Sequence, residues 1–113
     1  MRLVSIALVS ITLGCTGETP EQRAQAACES TTDAYVMSQD FIEQHLRAPA
    51  SAKFPWMTDA DVSVKYLGDC THEVRAYVDA QNGFGALIRS RYYVKLQNQK
   101  GTSTWRALDV QIQ

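Results

Sequence analysis

Cys70, His72 and Glu73 are the residues of this 113-residue chain whose types and spacing come closest to a reactive site. Cys70 and His72 lie two positions apart, so on a strand they share one face, where an imidazole could activate a thiol. Such catalysis also needs a third group that orients the imidazole, and the sequence identifies none. Metal binding by the three residues lacks a fourth ligand and a CxxC or HxxxH partner. We therefore expect no catalytic centre, no metal site and no cofactor.

The remaining sequence motifs lead to the same expectation. Gly83-Phe84-Gly85 begins like a dinucleotide-binding loop, but the third glycine is missing and a strand follows instead of a helix. The sequence contains no nucleophile elbow, phosphate-binding loop or zinc-protease motif. A formal net charge of −1 disfavours a general nucleic-acid binder, which is usually strongly basic. The sequence therefore predicts a protein that is not an enzyme and does not bind nucleic acid.

The first 15 residues have the layout of an export signal. Arg2 precedes an uncharged run of 11 residues, from Leu3 to Leu13, and Gly14-Cys15 follows. A transmembrane helix needs about 20 apolar residues, so this run is too short to be one. The segment resembles a bacterial lipoprotein signal, which implies cleavage after residue 14 and a lipid on Cys15. Ordinary signal cleavage, which leaves a secreted or periplasmic protein without lipid, is the alternative.

The same resemblance predicts where the protein is located. Thr16 stands in the place where many lipoproteins carry the Asp that signals retention at the inner membrane. The expected location is therefore the cell envelope, with the protein anchored through Cys15 to the outer membrane and facing the periplasm. We expect a signal peptide at 1–14, a tether at 15–19 and a single domain at 20–113.

Lipidation of Cys15 would leave Cys28 and Cys70 as one pair. Cysteines of exported proteins usually form disulfides, because the compartment outside the cytoplasm is oxidising. The expected bridge joins Cys28 to Cys70. Two unconnected buried thiols are the alternative, since sequence alone does not tell whether the Cα atoms lie within bridging distance.

One long N-terminal helix is predicted at 20–47. Thr19 to Gln22 supply a capping residue, a proline at the first helical position and the glutamine of a capping box. Apolar and small residues then recur every three or four positions. Ser30 to Asp33 are poor helix formers, so a kink or a second start is expected there. Pro49 ends the helix, and an extended connector at 48–56 follows.

After the connector, apolar residues alternate with polar ones, and this period of two is typical of strands. Four strands are predicted, at 61–68, 71–80, 86–97 and 103–113. The short connections are rich in Gly, Asn and Asp, which favours antiparallel hairpins with the even-numbered positions toward the core. The predicted fold class is α+β, with one N-terminal helix packed on a four-stranded antiparallel meander sheet.

Odd-numbered strand positions predict a basic and aromatic outer surface on the sheet. Tyr, Trp and Arg are enriched at interfaces, whereas ordinary cross-strand pairing explains the same residues without a partner. A short turn between the last two strands would place Lys95 beside Trp105 and Arg91 beside Asp109. Charge is polarised along the chain, since 18–47 holds two basic and six acidic residues while 62–113 holds seven and four. The candidate partner-binding residues are Arg75, Tyr77, Arg89, Arg91, Tyr93, Lys95 and Trp105.

Two segments resemble the paired signatures of a family of small domains. They are RAPASAKFP, from Arg47 to Pro55, and YVDAQNGFGA, from Tyr77 to Ala86. Together they look like an uncharacterised domain that recurs in bacterial and phage-encoded proteins, often behind a signal peptide, lipobox or membrane anchor. The resemblance covers roughly residues 33–113 and implies a fold without implying an activity. In the first segment and just after it, Phe54 and Trp56 are expected to fold back onto the core.

Two functions fit these observations. The first is a small cell-envelope lipoprotein that acts as a non-catalytic binding module, with the sheet face meeting an envelope protein or an anionic envelope component. The alternative is a structural lipoprotein of an envelope assembly, or an inhibitor or exclusion factor that acts on an incoming protein.

Overall fold

The computed structural model describes residues 17–113, so the predicted signal peptide and Cys15 lie outside the described residues. Four antiparallel strands form one sheet in the order β1-β2-β3-β4, which confirms the predicted α+β meander. A single 3-10 turn at Pro49–Ser51 interrupts the connector between the helices and the sheet. The elements are α1 (Pro20–Glu29), α2 (Thr31–Glu43), β1 (Ser63–Gly68), β2 (Thr71–Gln81), β3 (Leu87–Asn98) and β4 (Trp105–Ile112).

The N-terminal segment forms two helices, so the prediction of one helix at 20–47 is wrong, whereas the second helix start expected at 30–33 is confirmed. Ser30 has an extended backbone (φ −70°, ψ 109°) and separates α1 from α2. Its hydroxyl accepts a hydrogen bond from the Asp33 N–H at 3.1 Å and so caps α2. A serine satisfies a free N–H at a helix start better than it serves a helix interior, which is why the break occurs here. The predicted capping box of Thr19 and Gln22 is confirmed at the start of α1.

The core lies between α2 and one face of the sheet. Ile42 of α2 and Val78 and Val94 of the central strands are completely buried. Even-numbered residues of β2 and β3 point into this core, as the alternation predicted. Ser38 is a buried polar residue of α2, and its hydroxyl donates a hydrogen bond to the Tyr35 carbonyl at 2.6 Å. The opposite face of the sheet is not covered by either helix.

The first half of β4 departs from the predicted alternation. A bulge lies in the β3–β4 ladder, because Lys95 pairs with Asp109 whereas its neighbour Leu96 pairs with Ala107. A bulge inserts one extra residue, so every residue on one side of it changes face relative to a regular strand. The β3–β4 turn also spans 99–104, so Lys95 stands opposite Asp109, four residues further along β4 than expected, and the expected neighbours of Lys95 and Arg91 on β4 are wrong.

Trp105 consequently lies on the core side of the sheet, and its expected place on the outer surface is wrong. It pairs with the buried Asn98, and its ring centroid is 5.8 Å from that of His72. Arg106 takes the outward position instead and donates to the Gln97 side chain at 2.8 Å. The indole is half-buried against the core, where it stabilises the junction of β3 and β4.

A disulfide joins Cys28 of α1 to Cys70, which confirms the predicted pair. The two Cα atoms are 4.5 Å apart, and the bridge ties α1 to the β1–β2 turn. The Tyr66 hydroxyl donates to the Cys28 sulfur at 3.6 Å and accepts the Cys70 N–H at 3.3 Å. Disulfides persist in oxidising compartments, which agrees with an extracytoplasmic domain. Neither helix of the described chain has the length and apolarity that crossing a bilayer requires.

Candidate functional site

The candidate site is the sheet surface opposite α2, which we call the outer face. Side chains alternate along a strand, so the odd-numbered residues of β2 and β3 share this surface. Six of the seven predicted partner-binding residues lie on it, and Trp105 does not. The outer face is made of Lys65 of β1, of Glu73, Arg75, Tyr77 and Asp79 of β2, of Arg89, Arg91, Tyr93 and Lys95 of β3, and of Arg106 and Asp109 of β4.

Arg89 is engaged within the sheet. It stands opposite Asp79 in the register and donates two hydrogen bonds to that carboxylate, at 2.8 and 2.9 Å. Its guanidinium also lies 3.9 Å from the centroid of the Tyr77 ring. The hydrogen bonds from Arg89 hold the pKa of Asp79 below its ordinary value. Both stacking and pairing fix the Arg89 side chain in one orientation, which leaves it less free to reach a partner.

Arg75, Tyr93 and Glu73 form a second cluster of the same kind. The Arg75 guanidinium lies 4.6 Å from the Tyr93 ring centroid and 3.7 Å from a Glu73 carboxylate oxygen. The Tyr93 hydroxyl donates to Glu73 at 2.7 Å, and this bond is the main reason that the pKa of Glu73 is lowered. Desolvation, and then the bond to Glu73, raise the pKa of Tyr93 to about 12. Interactions within the sheet therefore explain the placement of four of the predicted site residues without a binding partner, namely Arg75, Tyr77, Arg89 and Tyr93.

Arg91 and Lys95 differ from these clusters. Within residues 17–113 neither side chain makes an ion pair or a hydrogen bond, and the same holds for Lys65 on β1. Arg91 borders a shallow trough of about 490 Å³ on the outer face. Arg91 is therefore available to a ligand without first breaking an internal contact, whereas Lys65 and Lys95 stand opposite Glu73 in the register and help to lower its pKa without a direct bond. Arg75, Tyr93, Asp61 and Asp109 also line this trough.

Cys70 and His72, the residues considered for chemistry, have structural roles. The Cys70 sulfur is held in the disulfide, so no thiol is present there. His72 is fully buried, with its ring 4.9 Å from that of Tyr66, and its Nε2 donates to the Glu29 carbonyl at 3.4 Å. The part of the chain that the structure describes brings together no group of three or more metal-binding side chains.

His72 makes the stability of the domain sensitive to acid. Desolvation lowers its pKa, outweighing the Glu29 carbonyl, so the folded state takes up the proton less readily than the unfolded chain, whose pKa is about 6.5. The contribution of neutral His72 to the free energy of unfolding is therefore complete above about pH 6.5. It declines as the pH falls below about 6.5, by up to about 1.4 kcal/mol per pH unit.

We therefore expect His72→Gln to flatten the dependence of unfolding free energy on pH as the pH falls below about 6.5. Urea unfolding at several pH values measures this dependence. His45→Gln, at the exposed segment after α2, is the matched control and should keep the wild-type slope. An unchanged slope in His72→Gln would show that His72 is not held neutral by the fold.

Exposed apolar residues at one end of the sheet were missed by the sequence reasoning. Phe84 is 98% exposed, Leu87 62% and Ile88 46%, and together these three form what we call the hairpin tip. Trp56 is 86% exposed, so its expected packing on the core is wrong, whereas Phe54 does pack edge-to-face on Tyr92. The sequence did contain a signal for this exposure. Phe84 lies between Gly83 and Gly85 in a hairpin loop, and loops run over the protein surface, where an aromatic ring is seldom buried.

The two signature segments pack against each other. Lys53 and Asp79 exchange backbone hydrogen bonds at 2.8 and 3.0 Å, and Ser51 Oγ accepts the Gln81 N–H at 2.9 Å. Arg47 packs beside Gly83, where an added Cβ would lie 3.7 Å from the Arg47 side chain. The connector thus covers the part of the β2 edge that the short β1 leaves open.

No family model, curated protein or solved structure matches the chain. By its fold and its candidate site, the chain is a two-layer α+β domain in which one face of the sheet carries basic residues and is covered by neither helix.

Proposed function

We propose that the chain is a small cell-envelope lipoprotein, a non-catalytic module that binds an envelope component through the outer face. The observation that carries this proposal is the set of unpaired cations, Lys65, Arg91 and Lys95, on a sheet surface that neither helix covers. An exposed cation with no internal partner adds little to folding, whereas it steers and orients a complex with an anionic group.

The charge distribution supports the same proposal. The exposed acids of the helical layer lie on the side of the domain opposite the outer face. On the outer face, the acids Glu73 and Asp79 are each held by a neighbouring arginine, and Asp109 stands opposite Lys95 in the register. An anionic partner would therefore be attracted to the sheet and repelled by the helices, which fixes the orientation of the complex. The helical acids are Glu21, Glu29, Asp33 and Asp40, which are exposed, and Glu43, which is half-buried.

Cys15 is proposed to carry the lipid, with the domain on the periplasmic side of the outer membrane. We expect Cys15→Ser to abolish palmitate labelling and to move the protein from the membrane fraction to the soluble fraction. Thr16→Ala is the matched control and should keep both properties. Wild-type protein that is soluble in the periplasm and unlabelled would favour the secreted alternative.

Crosslinking in intact cells separates the binding module from the alternative functions. A stoichiometric complex with one envelope protein would favour a structural lipoprotein of an envelope assembly. Crosslinks that appear only when a foreign protein enters the cell would favour an inhibitor or exclusion factor. Crosslinks to anionic envelope material without a fixed protein stoichiometry are the result expected for the binding module.

The double variant Arg91→Ser with Lys95→Ser tests the outer face directly. Because both side chains lack internal partners, the free energy of unfolding should change by less than about 1 kcal/mol. Retention by envelope material should fall by more than about tenfold and should also weaken with added salt, since exposed charges are screened over about 8 Å at physiological ionic strength. Lys100→Ser, in the exposed β3–β4 turn, is the control. Equal retention by the two variants would show that the outer face is not the binding surface.

A further inference from the structure

The hairpin tip is an apolar projection at one end of the sheet. Phe84 is almost fully exposed, and Leu87 and Ile88 point to opposite faces of β3 while both remain accessible. The domain itself therefore leaves the apolar side chains of the hairpin tip exposed on both faces of the hairpin. Exposed apolar clusters of this kind usually mark a contact with a membrane or another protein.

The tip and the tether lie at opposite ends of the sheet. Pro20 at the start of α1 borders the same groove as Gly101 and Thr102 of the β3–β4 turn. The other end of α1 is bonded through Cys28 to the β1–β2 turn. Since β3 has 12 residues, the tip lies about 40 Å from these turns. A lipid on Cys15 would keep the turn end near the bilayer, because the five residue steps from Cys15 to the start of α1 span at most about 18 Å.

The two layers of the domain differ in charge, and this decides which layer faces a bilayer when the domain lies flat on it. The helical layer presents exposed acids, of which Glu29, Asp33 and Asp40 are examples. The outer face presents the unpaired Lys65, Arg91 and Lys95, together with Arg106. An anionic surface repels the first layer and attracts the second, so the sheet faces the lipid.

Trp56 adds an exposed aromatic side chain in a turn that is bonded to a residue of the outer face. Its carbonyl accepts the Asp59 N–H at 2.9 Å, and the Asp59 carboxylate accepts the Tyr77 hydroxyl at 3.2 Å. The Trp56 turn is therefore tied to the outer face through Tyr77. Trp and Tyr are the residues that concentrate at membrane–water boundaries, where one part of the side chain is apolar and another is polar.

We propose that the partner of the outer face is the anionic lipid surface of the membrane that holds the anchor, with the domain lying flat and the hairpin tip inserted at the headgroup boundary. The inference rests on the proposed function, because it uses both the lipid on Cys15 and the outer face as the contact surface. It adds the ligand, the anionic phospholipid, and the orientation, with the sheet toward the bilayer and the helices toward the periplasm.

Tryptophan fluorescence of the full chain tests the orientation. Protein purified from membranes is reconstituted into vesicles of phosphatidylethanolamine and phosphatidylglycerol whose acyl chains carry bromine, and into brominated phosphatidylcholine vesicles. The variant Trp105→Phe reports Trp56 alone, and Trp56→Phe reports Trp105, which is packed against His72. We expect the Trp56 emission to fall at least about twofold on the anionic vesicles only, with Trp105 unchanged.

Two pairs of variants separate the charge from the apolar tip. Arg91→Glu with Lys95→Glu should restore the Trp56 emission on anionic vesicles, whereas Arg23→Glu on α1 should not. Phe84→Ser should reduce the quenching, whereas Val36→Ser should not, although Val36 is also exposed, at 51%, in the helical layer. Melting temperatures check that each variant is folded, as expected for residues that the core does not use.

The state of Cys15, determined by mass spectrometry on the same preparation, separates the inference from the proposed function. Unquenched Trp56 on anionic vesicles with an acylated Cys15 overturns the inference and leaves the anchor standing. Quenched Trp56 in a chain without acylation keeps the lipid contact and rejects the anchor. Unquenched Trp56 without acylation rejects both.

Photo-crosslinking in cells decides between lipid and protein at the tip. The variant Phe84→p-benzoylphenylalanine places a photoreactive group at the most exposed apolar position. Adducts with the mass of phospholipid support the inference. A single crosslinked protein in place of lipid adducts overturns it and assigns the tip to a protein complex.

Discussion

Cys28→Ser is expected to lower the free energy of unfolding by about 2 to 4 kcal/mol. The bridge closes a segment of the chain with a sequence separation of 42, and it restricts the unfolded chain more than the folded one. A domain with this few residues buries a smaller share of its surface than a large protein does. A single bridge of this size is therefore a large part of its stability.

Denaturant unfolding of the variants measures this effect. Cys70→Ser should cost about as much as Cys28→Ser, and the double variant should cost little more than either, since all three remove the same bond. Wild-type protein treated with a reductant should behave like the variants, whereas Cys15→Ser should unfold like the wild type. If reduction leaves the unfolding midpoint unchanged, the bridge does not contribute as we expect.

Trp105→Ala is expected to cost about 2 to 3 kcal/mol, because it removes a large, half-buried ring that packs on the core. Its neighbour Arg106 points outward and bonds only to the Gln97 side chain. We expect Arg106→Ala to change the free energy of unfolding by less than about 0.5 kcal/mol. The two substitutions therefore differ by several-fold although the residues are adjacent.

Thermal or urea unfolding of the two variants compares the faces of β4. The comparison depends on the β-bulge, because an unbroken alternation with β3 would exchange the two positions. A larger loss in Arg106→Ala than in Trp105→Ala would mean that the regular alternation is correct and that Trp105 belongs to the outer face. Leu108→Ser is a useful third variant, since this residue is 45% exposed and should tolerate the change.

The position of Trp105 also affects the type of partner that the outer face suits. Trp is among the side chains that most often dominate the energy of protein–protein complexes. With Trp105 in the core, and with Tyr77 and Tyr93 beneath arginines, the outer face has few large apolar anchors. It retains mainly charge, which favours a diffuse anionic surface over a shaped protein pocket. This balance is why we propose a lipid surface as the ligand.

The sequence by itself determined the features that depend on neighbouring residues. The capping box at Thr19, the four strands and the inward direction of the even positions in β2 and β3 follow from spacings of two to four residues. Such spacings act through the local backbone, so they predict helices, strands and buried faces without knowledge of the fold. The disulfide was also predicted as a pair, although only the structure showed that the Cα atoms lie close enough.

The tertiary structure decided the features that depend on contacts between distant segments. The bulge opposite Lys95 arises from the pairing of two strands, and it moves Trp105 into the core without any local signal in the sequence. The pairing of β2 with β3 sets Arg89 opposite Asp79 and Arg91 opposite Tyr77, so Arg91 stays free of an ion pair, although the two arginines look equivalent in the sequence. Strand register depends on the pairing of distant segments, and a shift of one residue moves each side chain to the opposite face of the sheet. The sequence therefore predicted a basic surface, but only the register decided which of its cations remain available to a partner.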